Sequence, residues 1–146
     1  MFLDEPTTGL DPQARRNFWE LVQDIRARGA TIVLTTHYMD EAQVLCDEIA
    51  IMDAGKIITR GSPDELLRKQ YDGLIIELPL TDITASLDGI EHSVIETLGV
   101  VEVVTTDVTK SLQELAPRVT DFNQVKIRQP NLEDLFIDLT GHTLRD

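Results

Sequence analysis

The first residues able to do chemistry are two adjacent carboxylates. Asp4 and Glu5 follow the short apolar run Phe2-Leu3, where a buried strand would end. Neighbouring strand residues point to opposite faces. At a strand's carboxyl end, however, the chain bends, and both carboxylates can border the crevice where α/β sheets bind ligands. One of them suits Mg²⁺, directly or through water, because that ion takes a few carboxylates together with phosphate oxygens. The other suits orientation or deprotonation of a water that attacks a phosphoryl group. Taken alone, an Asp-Glu pair before a proline is ordinarily the start of a solvated loop. A second titratable group stands at another predicted strand end: His37 follows Thr35-Thr36 after the short, apolar, β-branched run TIVLT, residues 31–35. A lone histidine there is ordinarily capped or solvated.

Both groups depend on the elements that carry them. Asp11-Pro12 predicts a helix start, with Asp11 as N-cap and Pro12 in the first turn. Ala14, Phe18, Leu21, Val22 and Ile25 recur at helical spacing, and Gly29 closes the helix in a left-handed conformation. TIVLT reads as a strand buried on both faces. A second helix is predicted from about Met39 to Cys46. Ile49–Met52 and Lys56–Thr59 flank Asp53-Ala54-Gly55 as a hairpin with Gly55 in the turn. Ser62-Pro63-Asp64-Glu65 is a capping box that opens a short helix. Near Tyr71-Asp72-Gly73 the pattern changes: residues 1–72 carry 8 basic and 13 acidic side chains, residues 73–146 carry 5 and 13.

Beyond that point Leu74–Leu80 reads as a strand. Val94–Leu98 and Val100–Thr106 form a hairpin around Gly99, Leu112–Val119 a helix, Val125–Arg128 a strand. Pro130-Asn131 starts a last helix through Leu132, Leu135, Phe136 and Leu139, a spacing that suits core packing rather than a binding groove. With a short helix at Ile83–Leu87 the order is β-α-β-β-α-β plus a helix, the split, ferredoxin-like arrangement. A helix over residues 88–98 is the competing reading. It would cost one strand.

Composition narrows the class without naming the chemistry. The chain has 146 residues, 42% of them hydrophobic, and a formal net charge of −13. That charge argues against a nucleic-acid partner, which needs a basic footprint, and against attachment to anionic lipid by charge alone. No apolar run approaches the roughly 18 residues of a membrane span. The single cysteine, Cys46, cannot form an internal disulfide, which favours a reducing cytoplasm. His92 and His142 lack acidic or cysteine partners at ligand spacing, and both read as surface residues.

The run Leu3-Asp4-Glu5-Pro6-Thr7-Thr8-Gly9-Leu10-Asp11-Pro12 resembles, nearly letter for letter, the Walker B motif and D-loop of ATP-binding cassette (ABC) ATPases. Thr35-Thr36-His37 resembles the switch histidine, or H-loop, of the same family, and Asp40-Glu41-Ala42 fits its pattern. Asp53–Lys56 and Gly61–Leu66 look like the hairpin and helix that close these ATPase domains. Pro130–Phe136 and Leu139–Gly141 resemble the carboxyl terminus of the subgroup that energises drug, antibiotic and polysaccharide exporters. The resemblance is specific over residues 2–12 and 31–42 and weak over 80–122.

The resemblance implies residue roles. Asp4 would bind the Mg²⁺ of MgATP, Glu5 would be general base toward the attacking water, and His37 would contact the γ-phosphate. Asp11 would reach across an ATPase dimer. Gly9, with Pro6 and Leu10, would shape the loop, its missing Cβ permitting the angles required. Thr7 and Thr8 are read as backbone-capping hydroxyls. The implied fold is the C-terminal half of a P-loop-type ABC ATPase domain over residues 1–72, then a small α+β, ferredoxin-like accessory or dimerisation domain over residues 73–146. Implied partners are a membrane permease and a second ATP-binding subunit, placing the protein at the cytoplasmic face of the membrane without inserting in it.

Half of such a site is missing from the 146 residues: they contain neither G-x-x-x-x-G-K-[ST] nor Leu-Ser-Gly-Gly-Gln. In the family both precede the Walker B strand, so the resemblance implies a C-terminal portion that begins inside that strand. Two carboxylates repel phosphate until a metal and a cradle of donors are present. The chain alone is therefore expected to lack ATPase activity. Phe2, Leu3, Trp19, Ile32 and Leu34 are expected to lack part of their cover, which favours self-association. Two other readings remain: a non-catalytic regulatory or dimerisation module, and a cassette ATPase serving translation or DNA repair, which the net charge disfavours.

Overall fold

A computed structural model describes residues 1–87, 93–97 and 99–141; His92 and His142 lie outside these. The chain divides into two compact units: Met1–Leu67 together with the chain from Asn131 onward, and Arg68–Pro130.

In the first unit, strand β1 (Phe2–Asp4) pairs in parallel with β2 (Val33–Thr35), and helix α1 (Pro12–Ala27) connects them. Asp11 caps α1 as its position predicts, Oδ1 accepting from Gln13 N and Ala14 N at 2.9 Å each. Gly29, at φ 91°, follows its last turn. Helix α2 (Met39–Leu45) comes next, then the hairpin β3 (Ile49–Asp53) and β4 (Lys56–Gly61). Its two-residue turn has Ala54 and Gly55 both at positive φ, the type I′ geometry that matches strand twist. Ser62 and Glu65 exchange the two bonds of a capping box, each 3.3 Å, at the start of α3 (Pro63–Gln70).

TIVLT is shorter and wetter than expected. The strand spans Val33–Thr35, and Val33 is 51% exposed while Leu34 is half-buried. Opposite it in register, Phe2 is 86% exposed. Among the described residues the β1–β2 sheet has two strands, and its Phe2–Val33 face is open to solvent.

The core of this unit is mostly helical. Val22 of α1, Ala42 and Leu45 of α2, Ile51 of β3 and Leu66 of α3 are buried. So are Leu132 and Leu135 of α5 (Leu132–Thr140), while Phe136 and Leu139, the other two positions of that apolar spacing, are half-buried. Asn131 and Asp134 form a capping box at the start of α5, and Leu132 N donates to Gln43 Oε1 of α2 at 3.3 Å. The expected tail, 73–146, thus has its sheet in one unit and its last helix in the other. The reason is physical: the apolar stripe of α5 finds its cover on α2.

The second unit is a four-stranded antiparallel sheet ordered β6 (Ser93–Thr97), β7 (Val100–Thr105), β5 (Leu74–Pro79), β8 (Lys126–Arg128). The hairpin around Gly99 forms, and over the described residues 93–97 strand β6 stands where the competing reading has a helix; residues 88–92 and 98 of that reading lie outside the described residues. Helix α4 (Val108–Leu115) starts earlier than expected because Asp107 caps it, accepting from Lys110 N at 3.0 Å. It gives way to a 3₁₀ turn, Ala116–Arg118, at Pro117, which has no N–H to continue it. The helix expected at Ile83–Leu87 does not form. A 3₁₀ turn occupies Leu80–Asp82, Ile83 bridges Val119, and Thr84 N donates to Arg118 O at 2.8 Å, so these backbone groups are already paired.

Ile76, Leu78, Val101, Val103, Leu115 and Val119 make a closed core under α4. Glu77 and Glu102 face each other in register, a repulsive arrangement offset by Arg128, which binds both. Gly73 is required where it stands: at φ 128°, a Cβ there would lie 2.0 Å from Thr105 O. No helix among the described residues is long and apolar enough to cross a membrane.

Candidate active site at the ends of two parallel strands

The register Asp4↔Thr35 sets the carboxyl ends of β1 and β2 side by side. Glu5 extends the pairing by one residue, its N–H donating to Thr35 O at 3.0 Å. It does so with φ at 41°, left-handed backbone that costs a residue with a Cβ about 1–2 kcal/mol. The chain then turns through two short loops, Thr8 N to Glu5 O at 3.2 Å and Leu10 N to Thr7 O at 3.1 Å. Gly9 takes a φ of 78° with open space around its missing Cβ, so conformation and not room selects glycine there.

Asp4, Glu5 and His37 come together around this turn. Thr35 Oγ1 donates to Asp4 Oδ1 and accepts from Glu5 N at 3.2 Å. Glu5 Oε2 accepts from Thr8 Oγ1 at 3.3 Å, and Glu5 Oε1 lies 3.5 Å from His37 Nδ1. That separation exceeds a normal hydrogen bond. Catalytic contacts are commonly long before substrate arrives. Glu5 and His37 both remain roughly half exposed, within reach of an incoming ligand. Asp11 stands apart from this group and spends Oδ1 on the α1 cap.

Helices α1 and α2 support the imidazole. The His37 ring lies against Tyr38, centroids 4.2 Å apart. The Arg15 guanidinium sits 4.1 Å from the Tyr38 ring centroid in a cation–π contact and 3.6 Å from Asp40. Trp19 Nε1 donates to Glu41 Oε1 at 3.1 Å and ties α1 to α2. Glu41 and Thr7 are wholly buried, and Glu41 Oε2, Thr7 Oγ1 and Arg15 Nε make no hydrogen bond. The hydroxyls of Thr7 and Thr8 therefore do not cap backbone as expected: one is unpaired and the other serves Glu5. Spacing alone does not single out Thr35, Tyr38 or Trp19, although Trp19 is the only tryptophan in the chain.

The donor set fits a hard cation. Asp4 keeps its second carboxylate oxygen clear of the Thr35 bond, and all nearby ligand atoms of β1 and its loop are oxygens. Among the described residues no three His, Cys, Asp or Glu side chains gather as a metal cage. A Mg²⁺ ion at Asp4 would thus depend on substrate phosphate for further oxygens, its usual manner of binding. Cys46 takes no part: burial, reinforced by Glu41 and Asp47, pushes its thiol up and keeps it protonated.

Comparison with known proteins bears on the whole chain. Residues 1–39 match the family described as "AAA domain, putative AbiEii toxin, Type IV TA system". The daunorubicin resistance ATP-binding protein DrrA3 of Streptomyces coeruleorubidus is 35% identical, the alignment covering 99% of this chain and 49% of that protein. The Nod factor export ATP-binding protein I of Rhizobium meliloti is 37% identical over 100% of this chain and 44% of its own length. Over its whole length this chain is thus similar to ABC transporter ATP-binding proteins. A third such protein, the linearmycin resistance ATP-binding protein LnrL of Bacillus subtilis, is 33% identical over 100% of this chain and 51% of its own length. The chain thus spans about half the length of the curated ABC relatives it matches.

Proposed function

We propose that residues 1–72 supply the carboxylate and histidine portion of a transport-coupled ABC ATPase site. Asp4 binds the Mg²⁺ of MgATP, which supplies charge neutralisation at the phosphates. Glu5 accepts the proton of the attacking water, and the adjacent imidazole of His37 fixes the Glu5 carboxylate and meets the γ-phosphate. Gly9 shapes the loop that carries Asp11 toward a second ATP-binding subunit. The observation that carries the reading is the approach of His37 Nδ1 to Glu5 Oε1, 3.5 Å, from two separate motifs. The names of the relatives, for drug resistance and Nod factor export, support an exporter: a membrane permease as partner, at the cytoplasmic face of the membrane. The accessory stretch within 73–146 is read as ferredoxin-like. Its sheet order and antiparallel pairing support this, and its first helix is the departure.

The 146 residues hold no phosphate loop and no signature sequence. Alone they lack the backbone donors and lysine that cradle phosphates, and purified chain is expected to hydrolyse ATP at background rate. An ATP-binding protein that joins these residues to both motifs should turn over MgATP, and Glu5→Gln should lower its kcat by about 100-fold or more. Turnover by the 146 residues alone, or retention of kcat in Glu5→Gln, would refute the assignment. The self-sufficient core of Arg68–Pro130 favours a second reading, a non-catalytic dimerisation module, which predicts no effect of Glu5→Gln in any context.

A further inference from the structure

Among the described residues, Thr35 is the one whose side chain hydrogen-bonds both Asp4 and Glu5. It stands opposite Asp4 in the parallel pairing of β1 and β2. Its hydroxyl gives its proton to Asp4 Oδ1 and accepts the Glu5 N–H at 3.2 Å, while its carbonyl accepts the same N–H at 3.0 Å. The direction of the hydroxyl is thereby fixed. An N–H cannot accept, so the lone pair must face Glu5 and the proton must face Asp4.

Two consequences follow from that polarity. At Asp4, one carboxylate oxygen is engaged and the side chain is held with its other oxygen available to a cation. At Glu5, the N–H is held twice by one residue. Glu5 is one of two non-glycine residues at positive φ among those described; the other, Ala54, is in a hairpin turn. Strained backbone of this kind persists only where its surroundings over-determine it. The left-handed turn is what carries the Glu5 side chain back toward His37 and Thr8 instead of onward along the strand.

We propose that Thr35 is a positioning residue of the site: its hydroxyl joins Asp4 to the Glu5 backbone and so sets the angle between the cation ligand and the general base. This rests on the roles assigned to Asp4 and Glu5 above. Thr35 is itself exposed, so water can replace the hydroxyl as a partner. What water cannot replace is the fixed direction.

Thr35→Val removes the hydroxyl while keeping the β-branched shape, and Thr35→Ser keeps the hydroxyl. The first readout needs no ATP. In NMR spectra of the 146-residue chain, the one-bond Cα–Hα coupling of Glu5 reports positive φ. That signature should be lost in Thr35→Val and kept in Thr35→Ser. The second readout uses an ATP-binding protein that joins these residues to a phosphate loop and signature. There Thr35→Val should lower kcat about tenfold with the KM for ATP within about twofold, and Thr35→Ser should restore kcat. Equal loss in the Val and Ser variants, or an unchanged Glu5 coupling in Thr35→Val, overturns the proposal. So does an unchanged kcat in Thr35→Val when Glu5→Gln is inactive. If Glu5→Gln stays active, the role of Glu5 falls instead, and with it the catalytic meaning of Thr35; the coupling measurement still reports whether the hydroxyl holds the backbone.

Discussion

The two units of this chain put their strands to opposite uses. In Arg68–Pro130 the central strands β5 and β7 are lined with Ile76, Leu78, Val101 and Val103, all within 2% of full burial. In the first unit, β1 and β2 present Phe2 and Val33 to solvent on one face; β1 ends at Asp4, next to Glu5, and β2 ends at Thr35. Four strands with a helix over one face bury enough to stand as a sheet, whereas two strands are marginal by themselves. The buried apolar side chains of the first unit therefore come from its helices and the β3–β4 hairpin, not from β1 and β2. A strand that closes a core and a strand that carries a site look alike in composition; they differ in what lies beside them.

The comparison is most exposed to a pair of strand truncations. Leu78→Ala should destabilise the chain by about 3–4 kcal/mol, while Phe2→Ala should cost less than about 0.5 kcal/mol. Denaturant melts of the two variants decide it, and equal losses would break the contrast between the sheets. A smaller effect tests the helical core of the first unit. Trp19→Phe strips the wholly buried Glu41 of its bonded partner and should cost about 1–3 kcal/mol, and adding Glu41→Met should recover part of that. A thermal melt in which the double variant is no better than the single would mean that the Trp19–Glu41 bond is not the tie between α1 and α2.

The smallest effect sharpens the picture around α2 without changing stability. Burial, with Glu41 and Asp47 nearby, raises the Cys46 thiol above its usual pKa. A raised pKa leaves less thiolate at a given pH, so iodoacetamide should modify Cys46 more slowly than free cysteine near pH 8. The rate should reach its plateau only at higher pH. Modification at the free-cysteine rate would show that the first unit opens around this helix.

Much of the local structure is legible in the residues. Asp11-Pro12, Ser62–Glu65 and Asn131 announce helix starts because capping is a local hydrogen-bonding matter, and Ala54-Gly55 announces a hairpin turn because positive φ is a local demand. The strand-end positions of Asp4, Glu5 and His37 are legible for the same reason. Two elements are misread where non-local packing decides: Ile83–Leu87 forgoes a helix because Val119 and Arg118 take its backbone bonds, and Val33 stays wet because the Phe2–Val33 face of its sheet is left uncovered.

The sequence by itself determined where the helices begin and turns fall, which residues could hold Mg²⁺ or a proton, and the family to which those residues point. Only the tertiary structure decided that α5 packs with α2, that Glu5 turns left-handed to meet His37, and that one threonine hydroxyl serves both carboxyl residues. Caps and turns involve residues a few positions apart and leave their mark in spacing. The Asp4–Thr35–Glu5 bonds join residues about thirty positions apart, and they exist only once two strands have settled into one register.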